Sequence, residues 1–197
     1  MTELNIENLR MDAAKCGKWN IGFFSAGFLF WVYVGFIGRH FPLETARIYW
    51  IAGTFYIFPL AVLISKIFKA DPFTKGNALG ELVGYTHMSI IMLTFPVIIV
   101  TALYFPEALI LIMAICYCLD FFVMTWVFGS WLFSIHATFR TAVVTIIFFA
   151  FPEWRLTTIP AIVALSYLIT VILIPILKKE MVTKTYQIKY VATPCCP

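Results

Sequence analysis

Six apolar runs, each long enough to cross a bilayer, constrain this chain more than any other feature. They read Trp19–Ile37, Ile48–Phe68, Leu79–Tyr104, Ala108–Phe128, Trp131–Phe151 and Ile159–Leu177. A hydrocarbon core about 30 Å thick takes about 20 helical residues to cross, and a helix satisfies its own backbone polar groups there. The expected fold is therefore all-α, a polytopic membrane bundle of six transmembrane helices. Composition agrees: 62% of the residues are hydrophobic and 12% charged, with mean hydropathy +0.93, against about 25% charged residues in soluble domains. The chain divides into an amphipathic segment at 1–18, a six-helix domain at 19–177 and a tail at 178–197. The loops leave no room for a soluble catalytic or nucleic-acid-binding domain.

Only Gly129-Ser130 separates the fourth run from the fifth. Starting the fifth at Thr141 would leave eleven residues before Pro152, too few to span, so Arg140 belongs inside the membrane. An even number of spans puts both termini on one side. That side collects ten basic residues, Arg10, Lys15, Lys18, Lys66, Lys69, Lys75, Lys178, Lys179, Lys184 and Lys189. The other holds three, Arg39, Arg47 and Arg155. Basic residues accumulate on the cytoplasmic side, so both termini are expected there. Trp50, Tyr104 and Trp154 then fall at the outer interface, and Trp19, Trp126 and Trp131 at the inner one.

The first residues carry Glu3, Glu7 and Asp12 and do not read as a cleavable signal. Ile6, Leu9, Ala13 and Cys16 recur at helical spacing, with Thr2 as N-cap and Gly17 as stop. An interfacial amphipathic helix is expected. The alternative is a frayed charged tail. The outer connections share a pattern, Phe41-Pro42-Leu43-Glu44, Phe105-Pro106-Glu107 and Phe151-Pro152-Glu153. Proline suits the first turn of the following helix, and glutamate complements that helix's positive end.

Asp120 and Arg140 are the charged residues deepest in the spans. They lie ten residues before and ten after Ser130, so both fall about 15 Å from the turn, near the middle of the hydrocarbon core. An intramembrane charge is costly and marks either a structural pair or a functional site. His136 is one turn from Arg140 on the same face. Glu81 and His87 occupy the same half of the membrane on the third span. Asp120, Arg140, His136, His87 and Glu81 are thus the ligand- or ion-binding candidates, with catalytic residues unassigned. Paired histidines on different helices can also hold haem. No motif here supports that, and no cofactor or metal is expected. Cys116 and Cys118, two apart, face opposite sides of a helix and make a poor metal or disulfide pair. Cys195-Cys196 would face the cytoplasm.

Gly76, Gly80 and Gly84 recur every four residues at the start of the third span. Such a row is a helix-packing face and points to a homo-oligomer contact. The stretch Leu63-Ile64-Ser65-Lys66 … Asp71-Pro72-Phe73-Thr74-Lys75-Gly76-Asn77-Ala78-Leu79-Gly80-Glu81-Leu82 resembles a family of small bacterial integral membrane proteins, a domain of unknown function. In that family a second span ends in Ser-Lys and a Lys-x-Asn-x-Leu-Gly run opens the third. The resemblance implies a bacterial inner membrane and carries no activity.

Hydrolase, kinase, zinc-protease and dinucleotide fingerprints are missing. The reading favoured is a transporter-like or small-molecule-binding membrane protein with a polar site around Asp120 and Arg140. Pro59, Pro96 and Pro175 offer helix breaks in support. Its rivals are an intramembrane enzyme acting on a lipid or isoprenoid and a non-catalytic subunit or scaffold. Its partners are the lipid bilayer and a small molecule or ion, not nucleic acid.

Overall fold

The computed structural model describes residues 6–185, with side chains described to residue 176. Thr2, Lys189, Cys195 and Cys196 lie outside that range, as do the side chains of Lys178, Lys179 and Lys184. The described residues form helices joined by short turns: α1 (Ile6–Cys16), α2 (Ile21–His40), α3 (Leu43–Ile67), α4 (Ala78–Tyr104), α5 (Leu109–Cys116), α6 (Phe121–Phe128), α7 (Trp131–Ala150) and α8 (Arg155–Thr185). Short 3₁₀ turns at Lys18–Asn20 and Pro106–Ala108 precede α2 and α5. Six segments are long and apolar enough to cross a membrane, one of them built from α5 and α6 together.

The helix ends follow local chemistry. Two begin earlier than apolarity suggests, α3 at Leu43 and α8 at Arg155, because proline-led turns start the helix before hydrophobic residues take over. Asn77 caps α4 by accepting hydrogen bonds from the Leu79 and Gly80 amides. Gly129 closes α6 in the left-handed region at φ 62°, and the Ser130 side chain opens α7 by accepting from the Leu132 amide. The expected hairpin at Gly129-Ser130 is thus present. α8 runs past residue 177 without interruption.

The densest packing joins α2 to α8 and α3. Glycines on α2 permit it: a Cβ on Gly27 would meet the Tyr167 ring at 2.6 Å. The third-span glycines serve differently. Gly76 precedes α4 and adopts φ 83°, while Gly80 is covered by Thr74 and Gly84 faces Phe73. The row expected to offer a groove to a second copy is occupied by the chain's own α3–α4 loop.

α1 forms as expected and packs against α4 and α6 through buried Ala13 and Ala14. Asn77 Nδ2 donates to the Leu9 carbonyl and to Asp12 Oδ2, both at 2.9 Å. Lys18, Trp19 and Asn20 all have positive φ (44°, 57° and 54°), an uncommon run for residues with a Cβ. The Lys18 ammonium bonds the Phe68 carbonyl across this corner. Of the aromatic belt, Tyr104, Trp126, Trp131 and Trp154 are exposed. Trp19 and Trp50 are instead buried, and Trp50 Nε1 donates to the Val34 carbonyl at 3.0 Å. A buried indole needs that acceptor, and a neighbouring helix supplies it.

Candidate functional site

The fourth span is discontinuous. α5 ends at Cys116, α6 starts at Phe121, and the intervening turn carries short-range bonds from the Cys118 amide to Ile115 O and from the Phe121 amide to Cys118 O. These i→i−3 bonds leave two carbonyls without the amide a continuous helix would provide, Ala114 O and Tyr117 O. Side chains from other helices take both. Arg140 Nη2 donates to Ala114 O at 3.0 Å, and the Tyr167 hydroxyl donates to Tyr117 O at 3.2 Å. Neighbours that satisfy freed backbone groups are what allow a helix to break inside a membrane domain. Pro59, Pro96 and Pro175, by contrast, lie within uninterrupted helices.

Asp120 sits at this break, just before α6, and is buried. Its Oδ2 lies 2.5 Å from His87 Nδ1 on α4. An ionised carboxylate only accepts, so Nδ1 carries the proton. In the neutral ring Nε2 is then a bare acceptor, and it is buried without a partner. The ring is held edge-on to Phe23 at 4.8 Å between centroids.

Arg140 is fully buried on α7, with His136 one turn before it. Besides Ala114 O, its guanidinium reaches His136 Nε2 at 3.5 Å. It also lies 5.3 Å from the centre of the Phe121 ring and 5.1 Å from that of Tyr167. Cation–π contact of this kind contributes about 2 kcal/mol when desolvated, which helps offset the cost of the charge. Arginine only donates, so Nε2 accepts and His136 carries its proton on Nδ1. That proton goes to Thr170 Oγ1 at 2.5 Å, and Thr170 in turn donates to the Ser166 carbonyl at 3.0 Å. Ser166 Oγ lies 3.2 Å from Nε2. Both nitrogens of this ring are engaged.

The direct Asp120–Arg140 pair expected from equal depth is not formed. Among the described residues no ion pair joins them; each takes a histidine, Asp120 on α4 and Arg140 on its own helix. Equal depth places two residues in one layer but leaves rotation about each helix axis free, and rotation decides the partner. Glu81 stands apart from the other four candidates. It is exposed and accepts from the Gly76 amide at 3.2 Å, a role in the start of α4. Cys116 and Cys118 diverge as expected: Cys116 lines the cavity described next, and Cys118 Sγ lies 3.6 Å from Thr141 on α7.

A cavity of about 50 Å³ adjoins the break. Asp120 and His87 line it together with Phe24, Trp31, Tyr117, Phe121 and Tyr167. The Tyr117 hydroxyl is also buried and lies toward Thr54 without a hydrogen bond of ordinary geometry. Phe24, Trp31, Asp120, Phe121 and Tyr167 are buried, whereas the lining from α3 and α4 (Thr54, Ile57, His87, Ile90 and Ile91) is half-buried. Phe23 on α2 and Tyr117 at the break are half-buried as well, so the less enclosed lining lies mainly, not solely, on α3 and α4, two helices that touch sparingly. Tyr167, Ser166 and Thr170 were not among the sequence candidates. Their signal is a polar i, i+4 pair with an adjacent tyrosine in an otherwise apolar span.

The fold and the site define a multi-span helical membrane protein with a polar break in its fourth span. The chain belongs to DUF7010, a family of unknown function whose sequence pattern matches residues 6–176. No curated protein and no solved structure matches it.

Proposed function

We propose that this protein binds a small molecule in the cavity beside the broken fourth span, with Asp120 and His87 as its polar recognition groups. One observation carries the reading: the buried carboxylate of Asp120 and the His87 ring that holds it line one cavity beside the broken span. A discontinuous span at a polar site is also the arrangement by which transporters hold substrates. Arg140 and His136 support the break from behind. The ten-to-three distribution of basic residues supports termini on the cytoplasmic side, and the family resemblance supports a bacterial inner membrane. A contact between copies at the α4 glycine row loses support, because the α3–α4 loop fills it.

The test is a ligand screen on purified protein in nanodiscs, read by thermal melting. The comparison variant is Ile91→Trp, which fills the cavity mouth. A compound that raises the melting temperature of the wild type but not of the variant supports the reading. A set of lipophilic amines, alcohols and carboxylates with no such member sinks it.

A second reading is favoured by the half-buried α3–α4 side of the cavity: an intramembrane enzyme acting on a lipid. There His87 Nε2, backed by Asp120 as a carboxylate orients a catalytic histidine, would serve as general base. His87→Gln would then abolish turnover of a bilayer-borne substrate while leaving its binding in place, as measured by mass spectrometry of the lipid extract.

A further inference from the structure

The chemistry of the cavity narrows what it can hold. Its lining contains a formal negative charge, Asp120, surrounded by the rings of Phe23, Phe24, Trp31, Phe121 and Tyr167. Aromatic faces carry partial negative charge and attract cations, most strongly where water is excluded. The nearby positive group, Arg140, stands against the Phe121 and Tyr167 rings and does not line the cavity. A carboxylate or phosphate would meet like charge at Asp120.

Size and access add a second constraint. About 50 Å³ accommodates a head group of a few heavy atoms, not a whole amphiphile. Much of the half-buried lining, Ile57, Ile90 and Ile91, is apolar and lies on α3 and α4, two sparingly packed helices. An alkyl tail extending from the cavity on that side would lie between them into lipid.

Resting on the reading of this cavity as a ligand site, we infer that its ligand is a lipophilic amine taken up from the bilayer. The protonated nitrogen sits in the aromatic enclosure beside Asp120, and the hydrocarbon tail leaves between α3 and α4. An alkylamine is a cation at neutral pH, as lysine is with its pKa of about 10.4.

The experiment compares octylamine, 1-octanol and octanoate as probes of one tail length. Binding is measured by titration calorimetry to the protein in phosphatidylcholine nanodiscs, with empty nanodiscs subtracted for partitioning. Wild type is expected to bind octylamine at least about tenfold more tightly than octanol, and octanoate more weakly than either. Asp120→Asn should erase the amine preference, and Thr54→Phe, at the rim, should weaken all binding. Equal or tighter binding of octanol or octanoate by wild type, lost in Thr54→Phe, overturns the amine assignment while the ligand site stands. Protein-dependent binding of none of the probes, or binding unchanged in Thr54→Phe, overturns both. The wild-type series decides the class even if Asp120→Asn fails to fold.

Discussion

His87 and His136 each stand beside a charged residue within the bundle, and their surroundings differ in one respect. Around His136 both ring nitrogens have partners, and the adjoining Arg140 is fully buried against two rings and a carbonyl, with its Nε alone unpaired. Around His87 one nitrogen has a partner, the other has none, and the residue borders a cavity. The same residue type in the same layer thus stands in two settings: one ring has both nitrogens engaged among packed side chains, and the other has one engaged and borders a cavity.

The largest effect expected falls on the packed side. Arg140→Gln should destabilise the protein by about 3 kcal/mol, because it strips a buried carbonyl and His136 of their donor and removes the ring contacts. Chemical unfolding in detergent measures this, and a loss no larger than that of a surface change would dissolve the distinction. His136→Leu should cost about 2 kcal/mol in the same assay, since Arg140 loses an acceptor while Thr170 loses a donor. Tyr167→Phe removes the donor to Tyr117 O and should cost about 1 kcal/mol. On the cavity side His87→Gln should change stability by under about 1 kcal/mol, as half of the ring's hydrogen-bonding capacity is unused. A double-mutant cycle sharpens the comparison further. Coupling within Asp120–His87 and within Arg140–His136 should reach about 1 kcal/mol and exceed the cross-coupling of Asp120 with Arg140. A dominant cross term would restore the direct ion pair that equal depth suggests.

Sequence reading reached the six-span helical architecture because apolar length is a one-dimensional property. It located Asp120, Arg140, His87 and His136 for the same reason, since depth along a span is a count of residues. Partner choice was out of reach. It depends on the rotation of each helix and on a break at residues 117–120, which no proline or glycine announces. Proline misled for a related reason: Pro59 and Pro96 sit in helices that continue through them, while the actual interruption is sustained by Arg140 and Tyr167 from elsewhere in the chain. Glu81 shared a membrane half with the other candidates, yet a position near the start of a capped helix drew it to the backbone amide of Gly76. The glycine row was read as a face for a second molecule, and the short loop before it reached it first.

Asn77 caps α4 with one atom and holds α1 with another, binding Leu9 O and Asp12 across a separation of 65 residues from the latter. That has a consequence for the order of assembly. An eleven-residue helix is marginal alone in water, so α1 gains its anchorage only after two spans have been synthesised and the third has begun. α1 is made before these spans yet finds its seat only after them, and during synthesis it waits for a single asparagine to emerge.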